Sequence, residues 1–528
     1  MRRKAIFTSI VTALALSVAY AEEGVPAPRL VVGLTIDQFS LEQMETFSSY
    51  YGDRGFKRLM KEGRLYRHAE YDFAHVTTSS AVASIYTGTV PYLHGIVGDA
   101  WIDRTSLQMA GCVDDPDYMG YASSESTSAH RMQVSCVADE LMVATSGHSL
   151  VYSIAPMREA AVLAAGHAAS GAFWLNDETG KWAGSTYYGL FPRWVSLYNE
   201  RQGLDMRIKS FVWGPYLPIT AYSTTVSEQQ GIPFRYKFDD ERKNKYRKFK
   251  TSPYVNDEVN RLAEQCLNET AMGRDNIPDL LCLEYYAGTY GHLPANQVQM
   301  EVQDSYIRLD KSLANLFDMI DRKVGLQQTL FVVTSTGNTE AGPADAEKYR
   351  IPTGEFSIKR CAALLNLYLG ALYGDGIYVD ATDAQEIYLS HKLIEQKQLH
   401  LTEVLNQSAE FLMQFSGVRD VYSSHRLLLG TWTPELNLFR NHYNRTCSGD
   451  LWIEVLPGWN VVNERNLSTQ TVRSLYASVP LFFMGWRTVA RQIDAPVSIG
   501  SIAPTMAQCM RIRAPNAAGE TPLYIRQH

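Results

Sequence analysis

The run Leu30-Val31-Val32-Gly33-Leu34-Thr35-Ile36, closed by Asp37, constrains this chain more than any other feature. It is apolar at consecutive positions, not alternating ones. A strand built from it buries both faces, as the interior strands of a parallel sheet do when helices cover each side. A helical pattern through Met44, Phe47 and Leu59 follows and stops at Gly63, which makes the segment a βα unit. Further apolar runs at residues 150–154, 280–285, 330–335, 451–456 and 481–484 predict more strands, and amphipathic spacing predicts a long helix over about 297–324. The fold class is therefore α/β, a mostly parallel central sheet with helices on both faces. In such sheets ligands bind beyond the carboxyl ends of the strands, so the chemistry is sought just past each run.

Two stretches break the rhythm. Between about residues 171 and 275 the sequence turns aromatic-rich and irregular, with Phe173-Trp174, Tyr187-Tyr188, Trp194 and Trp213-Gly214-Pro215-Tyr216, and reads as a cap inserted into the main domain. Residues 361–429, or thereabouts, read as a second small lobe. At the N-terminus, Arg2-Arg3-Lys4, an apolar stretch over 5–18 and Ala19-Tyr20-Ala21 have the zones of a secretory signal. Cleavage is expected near Ala21, leaving residues 22–528 in the periplasm or secreted. The apolar stretch falls short of the about 20 residues a membrane span needs, so no stable span is expected. Its removal takes three positive charges from a chain of net charge −7, which speaks against nucleic acid as a partner. The basic segment from Arg242 to Lys250 follows Asp239-Asp240-Glu241 and reads as solvated surface. Seven cysteines permit up to three disulfides, and no C-x-x-C pair suggests a zinc ribbon or redox motif.

Three stretches in order carry a family likeness. The first runs from Val31–Gln38 to Ala83-Ser84-Ile85-Tyr86-Thr87-Gly88-Thr89 and His94-Gly95-Ile96-Val97-Gly98. The second is Glu301-Val302-Gln303-Asp304-Ser305-Tyr306-Ile307-Arg308-Leu309-Asp310. The third joins Ser448-Gly449-Asp450-Leu451, Pro457-Gly458-Trp459, Val479-Pro480-Leu481-Phe482-Phe483 and Ile502-Ala503-Pro504-Thr505. Together they resemble the alkaline phosphatase superfamily, most closely the PafA-type bacterial alkaline phosphatases related to nucleotide pyrophosphatase/phosphodiesterases. The resemblance implies an alkaline phosphatase-like fold in which two zinc ions clamp a phosphoryl group and a metal-activated Thr hydroxyl attacks phosphorus. It places a metal-ligating Asp at Asp37 and the nucleophile at Thr78. Thr78 opens a helix predicted over 79–86, whose N-terminus favours an anion, though Thr77, Thr78 and Ser79 serve equally as N-cap residues.

The remaining ligands implied by the resemblance are altered. Gly288 stands in place of an Asp, with His292 kept four residues on. Thr336-Gly337 stand in place of an Asp-His pair, and Ser478 in place of the last His. One zinc position keeps His292 alone and the other keeps Asp37 and Thr78, while zinc affinity falls with each lost ligand. The phosphate clamp departs too. Asp99 replaces an Asn, and Met157 and Glu159 replace a Lys-x-Arg pair, with Arg158 reaching the Arg position on a one-residue slip. A carboxylate about 4 Å from a phosphate costs about 4 kcal/mol at an effective dielectric near 20, about a thousandfold in affinity.

The reading is a pseudophosphatase that keeps the fold, needs no cofactor, and binds a ligand or an exported or envelope protein. The alternative is a metal-dependent phosphoester hydrolase with a rebuilt site. There Thr78 attacks, and Asp37, Asp99, Glu159, His292, Asn338 or Glu340 recruit one divalent cation such as calcium or magnesium. A third class, sugar binding by Trp174, Trp182, Trp194 and Trp213, competes with a plain core role for the same rings.

Overall fold

In the computed structural model the strand Leu30–Asp37 lies in the middle of an 11-stranded sheet, parallel to Asp279–Tyr286 on one side and to Thr329–Ser335 on the other. The structure describes residues 26–222, 233–240, 244–293, 297–337, 353–463, 468–471 and 478–526. The predicted signal segment, Asn338 and Glu340 lie outside the described residues. Val151–Ala155 and Gly171–Leu175 continue the parallel block past Asp279–Tyr286. Past Thr329–Ser335 comes the antiparallel Ser478–Gly485, and then Arg64–Glu70.

The unbroken apolar runs have the physical cause the sequence suggests. Leu30, Val32, Leu34 and Ile36 enter one core with Leu281, Leu283, Phe331 and Val333. Val31, Leu280, Cys282, Leu330 and Val332 enter the other. Each such fully buried side chain contributes roughly 1.5–3 kcal/mol. The helices Tyr254–Glu269 and Gln299–Lys323 supply the first core, and Thr78–Thr87, Arg158–Ala165 and Ile502–Met510 the second. Gly33 permits a close approach: a Cβ there would lie 2.6 Å from the Tyr86 hydroxyl, which instead donates to the Gly33 carbonyl at 3.1 Å. The Thr78–Thr87 helix therefore lies hard against the sheet, with its first residue at the end of the first strand.

Several expectations are corrected. The single helix expected before Gly63 is broken into Leu41–Thr46, a 3-10 turn Ser48–Tyr50 and Phe56–Glu62. Asp310 fixes the interruption by accepting the Gly52 and Phe56 N–H groups at 2.9 and 2.7 Å. The strand expected at 451–456 is Leu451–Val455, which joins a separate four-stranded sheet with Val379–Asp383, Glu386–Leu389 and Val418–Ser423. That sheet and the helices Ile358–Tyr373 and Leu401–Leu412 share a core of their own. Gly171–Leu175 and Trp182–Ser185, assigned to the cap by composition, are strands of the main sheet. Trp174, Trp182 and Trp213 are fully buried and Trp194 packs on the main core, so these rings are structural. All seven cysteines are buried free thiols, without disulfides.

Candidate functional site

The carboxyl ends of the parallel strands open into a cavity of about 520 Å³. Asp37 closes the first strand, Thr336 and Gly337 follow Thr329–Ser335, and Met157, Arg158 and Glu159 follow Val151–Ala155. All six line the cavity, as do Thr78, Asp99 and His292. Of the sequence-derived site residues, Gly288 and Ser478 do not contribute to its lining.

Thr78 is the first residue of its helix and does not cap it. Thr77 is the N-cap: its hydroxyl accepts the Ser80 N–H at 3.2 Å, while Ser80 Oγ accepts the Thr77 N–H at 2.9 Å. This capping box leaves the Thr78 hydroxyl to donate to Asp37 Oδ1 at 2.9 Å. Thr336 Oγ1 donates to the same oxygen. One carboxylate oxygen thus accepts two hydroxyls, and Gln38 Nε2 reaches the other at 3.5 Å. Asp37 itself is 7 % exposed.

Gln38 sits on backbone with φ 58°, and its side chain fills the space beside Gly288. A Cβ at 288 would lie 2.6 Å from both Gln38 Oε1 and the Tyr286 hydroxyl. Gly337 has φ 113°, a left-handed conformation suited to glycine, and offers no donor group. Ser478 is exposed, its hydroxyl 3.3 Å from His68 Nδ1. His292 is exposed at the cavity edge, its ring centroid 6.3 Å from that of Tyr286.

Asp99 takes the position at which the helix would attract an outside anion. Its Oδ1 accepts the Ser79 hydroxyl at 2.6 Å and the Ser79 backbone N–H at 3.3 Å, so a resident carboxylate already occupies that helix end. Arg158 does not present a free clamp. Its guanidinium lies 2.8 Å from Asp114 and 3.1 Å from Glu159, with Glu125 at 4.0 Å.

Two groups of lining residues were missed by sequence reasoning. Lys250, expected in a solvated basic segment, is buried and lies 2.6 Å from Asp177 Oδ1, while Arg247 contacts Asp177 Oδ2 at 3.2 Å. All three line the cavity. Glu284 is the other: a charged residue inside the apolar strand Asp279–Tyr286, 2 % exposed. Burial raises its carboxyl well above the ordinary value and Asp37 and Glu159 push the same way, against the Met157 backbone N–H and Lys250.

The type I phosphodiesterase / nucleotide pyrophosphatase family matches residues 31–476. The chain belongs to this family. Within it, the chain is 28% identical to alkaline phosphatase PafA of Elizabethkingia meningoseptica over 526 residues, covering 96% of this chain and 95% of that one. It is 25% identical to alkaline phosphatase PhoV of Synechococcus elongatus, covering 94% and 92%. The crystal structure of wild-type PafA superposes with a TM-score of 0.84 at 27% identity, over 95% of this chain and 99% of that one, so the alkaline phosphatase-like fold is shared.

Among the described residues no group of three or more His, Cys, Asp and Glu side chains is arranged to hold a metal. Asp37 spends its inner oxygen on two hydroxyls, and Gln38 fills the volume beside Gly288. Among the described residues, no helix is long and apolar enough to cross a membrane.

Proposed function

We propose that this chain is an exported, non-hydrolysing member of the phosphodiesterase family that uses the cavity to bind a ligand. The observation that carries the reading is the hydrogen-bonded closure around Asp37, where the Thr78 and Thr336 hydroxyls both donate to Oδ1. A hydroxyl bound to a carboxylate stays protonated, because a carboxylate is far too weak a base to take the proton of an alcohol. Activating that hydroxyl calls for a cation beside its oxygen, and Thr336 supplies another proton where a ligand would be needed. The resident Asp99 carboxylate and the engaged Arg158 oppose a second anion in the cavity. Loss of chemistry with retention of the fold is consistent with these substitutions.

The test is metal content and turnover of the purified chain. Elemental analysis is expected to find less zinc than protein. Hydrolysis of p-nitrophenyl phosphate and bis-p-nitrophenyl phosphate, with added zinc, magnesium or calcium, is expected to match that of Thr78→Ala. Two tightly held zinc ions together with Thr78-dependent turnover would refute the proposal.

A further inference from the structure

Glu284 is the feature of the cavity that neither the fold nor the family likeness explains. It faces the cavity from the middle of the sheet, paired in register with Thr35, and among the described residues neither carboxyl oxygen has a well-aligned hydrogen bond, the Met157 backbone N–H being the nearest donor that favours its charged form. A buried carboxyl left in this way carries the desolvation penalty without the compensation that buried polar groups ordinarily find.

The charges around it are unbalanced. Arg158 is engaged by Asp114 and Glu159, and Lys250 and Arg247 are engaged by Asp177. The ion pairs of the described residues therefore leave Asp37 and Asp99 without a cation, and Glu284, which burial holds toward its protonated form, feels Lys250 only from a distance. Asp37 and Asp99 hold hydroxyl and amide donors instead. Tyr286 adds an aromatic ring to the lining, and aromatic faces attract cations. A cavity of about 520 Å³ falls in the size range of small-molecule sites.

We propose that the cavity binds a small organic cation, whose ammonium or guanidinium head is held by Glu284 and Asp37. The inference rests on the non-hydrolysing reading above and names the ligand class for the same site. Such a head brings several N–H donors to carboxylate oxygens and supplies the charge that the inner wall lacks. A phosphate at this place would meet the same carboxylates with the wrong sign.

The experiment is isothermal titration calorimetry of the metal-free chain at about pH 8 and again at about pH 9.5, because Glu284, held above its ordinary value by burial, must give up its proton to hold the cation. The probes are butylguanidinium, butylammonium and acetyl-Gly-Lys-Gly amide, with inorganic phosphate, magnesium and zinc as competitors. At least one of the two free cations is expected to bind, and Glu284→Gln, which keeps the shape and removes the charge, is expected to weaken it about tenfold or more. Asp37→Asn is the second variant and is expected to weaken the same probe. Binding of the lysine peptide alone would overturn the assignment to a small molecule. Failure of both free cations, binding unaffected by Glu284→Gln in a folded protein, or preferential binding of phosphate or a divalent ion would also overturn it. Thr78-dependent ester hydrolysis in the same preparation would sink the non-hydrolysing reading instead, whereas an inactive chain that binds neither cation sinks this inference alone.

Discussion

Replacing Asp99 by Asn isolates the electrostatic argument against phosphate. Asp99 Oδ1 accepts both the Ser79 hydroxyl and the Ser79 N–H at the start of the Thr78–Thr87 helix, and an Asn carbonyl oxygen can accept both bonds without the charge. The loss of a negative charge at a helix N-terminus costs about 0.3–1 kcal/mol, so the variant is expected to fold with a slightly lower Tm. A phosphate oxygen drawn to the same N–H would lie about 4 Å from the carboxylate. Asp99 is exposed, not buried, so the repulsion falls between about 1 kcal/mol at the dielectric of water and about 4 kcal/mol at a dielectric near 20. The affinity of Asp99→Asn for inorganic phosphate should therefore exceed that of the parent by a factor between about 5 and about 1000. Titration calorimetry at low salt measures it, and added salt should shrink the difference. A folded variant whose phosphate affinity changes by less than about twofold would refute the claim that this carboxylate repels the anion.

Asp304 should prove an anchor of the aromatic region. It is fully buried, accepts Trp213 Nε1 at 2.7 Å, the Tyr216 N–H and Tyr222 hydroxyl at 2.6 Å each, and pairs with Arg308 at 2.6 Å. Asp304→Ala is expected to cost about 3–5 kcal/mol in urea unfolding followed by Trp fluorescence, and a cost below about 1 kcal/mol would contradict the anchor role. Burial, with Asp37 adding to it, holds the folded-state pKa of Glu284 above its ordinary 4.5. Its contribution to stability is therefore full below that value and lost as pH rises through the folded value. Glu284→Gln should match the parent in Tm near pH 4 and exceed it near pH 8, and a pH-independent difference would contradict this. Because all seven thiols are buried and free, a thiol reagent should label none in the native chain and seven after denaturation, and reductant should leave Tm unchanged.

The sequence made the central strand legible because a run apolar on both faces has few other uses, and Asp37 at its end followed from that. The start of the helix at Thr78 was legible too, but the division of labour within Thr77-Thr78-Ser79 was not. Any of the three hydroxyls suits a cap, and only the position of Asp37 decides which one turns inward. Residues 451–455 could not be assigned to a sheet, since a short apolar run does not state its neighbours and the partners of this one lie at 386–387 and 418–423. Lys250 looked like a surface residue because its partner, Asp177, is remote in sequence and becomes adjacent only on folding. Glu284 did leave a signal, a lone carboxylate within an otherwise apolar strand. Its lack of a partner required the three-dimensional arrangement.

Gln38 and Gly288 share one small volume. A side chain re-enters at 288 only if the Gln38 amide and the Tyr286 hydroxyl move aside, because its first atom would lie 2.6 Å from each. Shortening residue 38 by itself opens a void and supplies no ligand. A ligand returning at 288 therefore asks for a rearrangement at residue 38 as well, so the two positions are expected to change together.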